Sequence, residues 1–353
     1  MQLGVETETQ RRGPRARGRA RGPLVPFGGV AGRRPTSSSD LRQLAETVGH
    51  GARMPLHLWS SARYTFPLPP GHRFPIAKYE VLRRRVVSEG LVPADRVHDP
   101  AKASPGALRL VHTDDYVTRL TEGRLGPDEL RRLGFPWSAA LVERSYRAVG
   151  GTCEAARAAL DQGLAMNLAG GTHHAFADHG EGFCVFNDVA IAIRMLQREG
   201  LVRRGAVIDL DVHQGNGTHA IFAGDESVFT FSMHAGRNYP FAKVPGSLDV
   251  ELADGTGDEE YLSRLDALLP GVLARAAPDL VIYLAGADPH AGDRLGRLGL
   301  SFDGLARRDA IVIAGCREVG IPVAVTIAGG YGREMEDTVR VHLNTVRVAS
   351  SFV

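Results

Sequence analysis

The sequence predicts an α/β fold built on an open, mostly parallel sheet with helices on both faces, and two observations carry that prediction. Short apolar runs alternate with longer stretches of helical periodicity over the last 300 residues. Strand then helix, repeated, is the pattern of parallel crossovers. Several of the apolar runs are also followed at once by glycines and by side chains that carry chemistry. Open parallel sheets hold ligands beyond the carboxyl ends of their strands.

Residues 1–53 stand outside this pattern. They hold ten arginines, no lysine and four acids, a charge of +6, and since the whole chain carries +2, the other 300 residues carry −4. The run Arg11-Arg-Gly-Pro-Arg-Ala-Arg-Gly-Arg-Ala-Arg-Gly22 offers no face to bury. A disordered Arg/Gly-rich tail is therefore expected over 1–53 and a folded domain over 54–353. The tail fits an upstream extension without a role, a nucleic-acid-binding arm or an Arg-rich transit peptide. The mildly acidic remainder has no basic footprint for nucleic acid. No apolar run approaches the roughly 18 residues that would span a membrane. Cys153, Cys184 and Cys316 lack CxxC spacing, and no secretory signal is evident, so reduced thiols and a cytoplasmic enzyme are expected.

Within the domain, a short strand is expected at 56–60 and a helix at about 76–88. His112-Thr-Asp-Asp-Tyr116 opens another helix, with acids in its first turn. A long helical stretch covers 138–162, weakened in its middle by Gly150-Gly151. Strands then follow at about 164–168, 205–210, 227–233, 279–285 and 322–328. Helices are expected at about 187–198, 259–275, 303–318 and 334–349.

The strand at 205–210 runs into Asp209-Leu-Asp-Val-His-Gln-Gly-Asn-Gly217. In an extended chain Asp209, Asp211 and His213 point to one side, and two carboxylates with an imidazole suit a divalent metal such as zinc. A polar strand end with a structural ion pair fits equally well. Other strand ends deliver Gly170-Gly-Thr-His-His-Ala175, Ala285-Gly-Ala-Asp288 and Ala328-Gly-Gly-Tyr331. Taken singly, the histidine pair fits a solvated loop, Asp288 a turn and Tyr331 a core tyrosine.

Together with Gly71-His-Arg-Phe-Pro75, Lys78-Tyr79, Gly182-Phe-Cys-Val-Phe-Asn-Asp188, Phe231-Ser-Met-His234 and Gly292-Asp-Arg-Leu-Gly296, these motifs give residues 56–353 a resemblance to the arginase/deacetylase superfamily. The chain most resembles class IV histone deacetylases and their bacterial relatives. The resemblance implies the arginase/deacetylase fold and hydrolysis of an N-acyl-lysine amide with one Zn²⁺ on Asp211, His213 and Asp288. It implies that His173 and His174 are the acid–base pair, backed by Asp209 and Asn216, and that Tyr331 donates to the carbonyl oxygen. Many deacetylases have Asp where this chain has Asn216; class IV members have Asn. Gly182 and Phe183 would line an acyl-lysine tunnel, with Tyr239 or Phe241 opposite. A monovalent cation such as K⁺ is implied near Asp209, Asp211, His213, Ser232 and Met233. The substrate would be an acyl-lysine protein or peptide, or a small acetylated amine if the chain is an acetylpolyamine amidohydrolase. An arginase-type ureohydrolase would need further bridging carboxylates, and a non-catalytic binding module would be expected to have lost a ligand or Tyr331.

Overall fold

The computed structural model describes residues 55–353; the expected tail and Met54 lie outside the described residues. Among the described residues eight strands form one sheet: β1 (His57–Trp59), β2 (Val97–His98), β3 (Leu164–Asn167), β4 (Gly205–Asp209), β5 (Val228–Ala235), β6 (Leu248–Leu252), β7 (Leu280–Leu284) and β8 (Val323–Thr326). Their order is β2-β1-β3-β8-β7-β4-β5-β6. Every neighbouring pair is parallel, so the expected mostly parallel sheet is wholly parallel. Every residue of β3, β4, β7 and β8 is buried, as a sheet covered on both faces requires. The edge strands β2 and β6 are only partly buried.

The helices, in chain order, are α1 (Lys78–Ser88), α2 (Pro105–Leu108), α3 (Asp114–Thr121), α4 (Pro127–Leu133), α5 (Ala139–Gln162), α6 (Asp188–Arg198), α7 (Asn216–Ile221), α8 (Asp258–Ala276), α9 (Phe302–Glu318) and α10 (Met335–Ser351). They pack as two groups, α5 with α6, and α1, α10, α9 and α8 in succession. Local chemistry explains their ends. The side chains of Thr113, Ser138, Asn187 and Ser301 cap α3, α5, α6 and α9, and α5 stops at Gly163 in the left-handed conformation. Gly150 and Gly151 do not break α5. A Cβ on Gly150 would sit 1.9 Å from the carbonyl oxygen of Ala101, and one on Gly151 would sit 2.7 Å from the Tyr64 hydroxyl. The two glycines are where the helix meets its neighbours most closely.

Candidate functional site

The strands that deliver chemical groups are neighbours, β3, β8, β7 and β4 in sheet order. The 4.7–4.9 Å spacing of strands brings their carboxyl ends within about 15 Å of one another. The six side chains that could carry the chemistry, His173, His174, Asp211, His213, Asp288 and Tyr331, are all buried.

Strand β4 ends at Asp209 and the chain bends through 211–213, which breaks the single row that extended geometry predicts. Asp209 turns away and accepts a hydrogen bond from His173 Nδ1 at 2.7 Å. Asp211, His213 and Asp288 instead bring one ligand atom each to within 4.8 Å of one another. Backbone N–H groups fix the carboxylates: Gly329 donates to Asp211 Oδ2 at 2.8 Å and Val212 to Asp288 Oδ1 at 3.0 Å. Gly329 is required by space, because a Cβ there would lie 2.0 Å from Asp288 Oδ2 and 2.5 Å from Asp211 Oδ2. Asp288 Oδ2 is buried without a hydrogen bond, 3.3 Å from His213 Nδ1.

Electrostatics show what the cluster calls for. Burial and the charge of Asp211 raise the Asp288 carboxyl to about 7. Burial opposes a charge on His213, but the neighbouring carboxylates of Asp211 and Asp288 outweigh it and lift the ring to about 10. Two carboxylates in a dry pocket call for a shared positive charge. The orphaned Oδ2, the two-carboxylate, one-imidazole donor set and the glycine beside it fit a divalent metal.

Beside this cluster lie the paired imidazoles, with ring centroids 4.1 Å apart. Asp188, the first residue of α6, anchors their loop by accepting from the N–H groups of Gly171 at 3.0 Å and Thr172 at 2.8 Å. His173 Nε2 is 3.9 Å from Asp211 Oδ1. Burial disfavours a charge on His173, yet Asp209 and Asp211 carry the ring up to about 9. His174 Nδ1 instead lies 2.7 Å from Asn216 Oδ1. Burial, followed by the charges of His173 and His213, holds that ring well below its ordinary value. Two adjacent rings therefore sit in opposite environments.

Tyr331 is held by its backbone, whose N–H donates to Asp293 Oδ2 at 2.5 Å. Lys78, buried, donates to the carbonyl of Gly330 at 3.2 Å. Burial and the nearby Asp288 push the Tyr331 hydroxyl well above the ordinary tyrosine value, so it stays a donor. Phe183 packs 5.8 Å from Tyr331 and 5.4 Å from Phe74, centroid to centroid. Gly182 and Phe183 both have positive φ, 55° and 66°. A phenylalanine in that region is strained, and strain of this kind gathers at functional sites. Tyr239 stands edge-on to His174 at 5.1 Å, while Phe241 is 86% exposed. Of the two aromatics expected opposite Phe183, Tyr239 is the one at the histidines.

The supports were not legible in the sequence. Arg308, on α9 and fully buried, donates to the carbonyls of Gly286 at 2.7 Å and Leu210 at 3.2 Å, tying together the ends of β7 and β4. Its charge is met by Asp309, which also accepts from Tyr283 and Thr345. Glu181 accepts from Asn216 Nδ2 and from the Tyr239 hydroxyl, each at 2.7 Å. Only an arginine beside an aspartate at 308–309 was there to be noticed, and nothing in sequence spacing tells what it would touch.

A wholly parallel α/β sheet whose carboxyl edge carries a metal-fitting cluster, two imidazoles and a buried phenol is suited to hydrolysis. The family model described as the histone deacetylase domain matches residues 72–346. An uncharacterized protein of Picosynechococcus is 47% identical over 79% of this chain and 93% of its own length. Histone deacetylase 2 of Arabidopsis thaliana is 34% identical over 78% of this chain and 73% of its own. The crystal structure of an HDAC homolog from Aquifex aeolicus superposes with a TM-score of 0.73 at 26% identity, covering 84% of each chain. The chain belongs to the histone deacetylase family, and its activity is that of a deacetylase.

Proposed function

We propose that this protein hydrolyses the amide of N-acetyl- or N-acyl-lysine in peptides and proteins, with one Zn²⁺ on Asp211, His213 and Asp288. The observation that carries this reading is the pair of imidazoles with unlike partners beside the cluster, a carboxylate behind His173 and a neutral amide behind His174. Zinc held there would polarise the amide carbonyl and lower the pKa of water, so that it gives up a proton as it attacks. His174, without a carboxylate to stabilise its charged form, is the proton acceptor for the attacking water. His173, whose cation Asp209 stabilises, donates the proton that the departing amine requires. The Tyr331 hydroxyl donates to the carbonyl oxygen as negative charge develops there.

Gly182, Phe183 and Tyr239 suit a narrow apolar passage for the methylene stem of lysine. A polyamine substrate needs free acids at the mouth to hold its distal cation. The acids of the segment between His174 and Gly182 are already engaged, Glu181 with Asn216 and Tyr239, and Asp178 with His179 at 2.6 Å. The exposed Phe241 favours a peptide face instead. Among the described residues one carboxylate–histidine cluster fits a metal, and Asn216 offers no second bridging carboxylate, which disfavours two-metal ureohydrolase chemistry. The buried free thiols of Cys153, Cys184 and Cys316 are consistent with a cytoplasmic enzyme.

The test is a comparison of purified protein on acyl-lysine peptides, acetylputrescine, acetylspermidine and arginine. Peptides should be processed with the highest kcat/KM. A preference for polyamines of tenfold or more, about 1.4 kcal/mol in transition-state binding, would overturn the peptide reading and leave the hydrolytic chemistry in place.

A further inference from the structure

The amide of Asn216 is symmetric in shape, so something must decide which end faces His174. We infer that Glu181 decides it: acting through Asn216, this glutamate is a positioning residue that holds His174 with its proton on Nδ1 and its Nε2 lone pair free. The inference rests on the proposed function, in which His174 is the base.

Donor and acceptor capacity fix the orientation of the amide. An ionised carboxylate only accepts hydrogen bonds. The Glu181 side chain is only 14% exposed, and although burial raises its carboxyl, the nearby His179 and hydrogen bonds from Asn216 and Tyr239 together hold it below the usual range. Its Oε1 lies 2.7 Å from Asn216 and 2.7 Å from the Tyr239 hydroxyl. Facing an acceptor, Asn216 must present its NH₂ group, which turns its oxygen toward His174, 2.7 Å from Nδ1. An amide oxygen also only accepts, so Nδ1 must be the nitrogen that carries the proton. Asn216 is itself buried, and the same Glu181 oxygen is fixed by the hydroxyl of Tyr239, whose ring stands edge-on to His174. Without the carboxylate, the reversed amide would donate to Nδ1 and drive the proton to Nε2, where a base needs its lone pair. His173 is held by Asp209 directly; His174 is held by a carboxylate one residue further away.

The experiment uses the full chain and its Glu181→Gln, Asn216→Asp and doubly substituted forms. Glutamine keeps the shape but offers NH₂ as readily as oxygen. Glu181→Gln should lower kcat by roughly tenfold, the scale of other outer-shell partners, with KM changed by less than about twofold. Adding Asn216→Asp to Glu181→Gln should restore most of the loss, because the carboxylate introduced by the first substitution accepts both from His174 and from the amide introduced by the second. An unchanged kcat in Glu181→Gln, a change in KM alone, or a double variant no better than the single would overturn the inference. ¹⁵N shifts of the His174 ring report the tautomer without turnover: wild type should show a protonated Nδ1, and a protonated Nε2 would overturn the inference even if the variants fold poorly. Inactivity of wild type on every acyl substrate, with the Nδ1 proton present, would count against the proposed function and not against this hydrogen-bond chain.

Discussion

In the proposed reaction Tyr331 acts only while its oxygen keeps a proton, and its burial beside Asp288 favours that. Tyr331→Phe preserves the ring among Phe74, Phe183 and Lys78 and removes the donor. Turnover should fall by roughly a hundredfold or more, the cost of losing an oxyanion donor, while metal content and melting temperature stay as in wild type. Unchanged turnover would remove Tyr331 from the chemistry. At the Asp211, His213 and Asp288 cluster, three protein ligands would leave no redundancy, so Asp211→Ala should abolish binding of the one zinc proposed per chain, read by elemental analysis. Two tightly bound Mn²⁺ ions would indicate the ureohydrolase alternative instead. At this scale the sequence was readable where a motif carries its own geometry: Asp211, His213, the histidine pair and Tyr331 each follow a strand and a turn. Asp209 was ambiguous, because alternation put it in the metal row and only the bend after β4 turns it to His173. Glu181 belongs to no motif, and its bond to Asn216 spans 35 residues.

Among the elements, long helices and buried central strands declare themselves by periodicity, and the observed bounds of α5, α6, α9 and α10 lie within two residues of those expected. The short pieces do not. Strand β2 has two residues, and α7 begins Asn216-Gly217, a pair with poor helix propensity that is held there by the site. The start of α6 carries a pH dependence. His112 Nε2 accepts from the N–H of Asn187, the residue that caps α6. Burial keeps the ring neutral and lowers it from 6.5 to about 4. As pH falls from 6.5 toward 4, the unfolded chain therefore takes up a proton that the folded chain refuses. The contribution of His112, on the order of 3 kcal/mol, is present above pH 6.5 and lost over that window. Melting temperatures of wild type and His112→Gln should diverge at neutral pH and approach each other near pH 4. A constant gap across the range would show that His112 does not titrate with folding.

In the molecule as a whole, the sheet and the residues 72–346 that match the family model all lie after the arginine-rich segment. A chain starting at Met54 should therefore keep full turnover and an unchanged melting temperature; a fall of many degrees would assign the first 53 residues a structural part. The sequence made the strands legible but not their order, because nothing local states that β8 lies beside β3. That order shapes how the chain is made. Leu164 of β3 pairs with Val323 of β8, while Gly205 of β4 pairs with Leu280 of β7. During synthesis two half-sheets, β2-β1-β3 and β4-β5-β6, are finished first, and the strands that join them arrive last. Each half waits with an unpaired inner edge, in a topology whose distant pairings fold slowly. The nascent protein should thus depend on chaperones, aggregate when translation outruns their supply, and give a better soluble yield when expressed slowly in the cold.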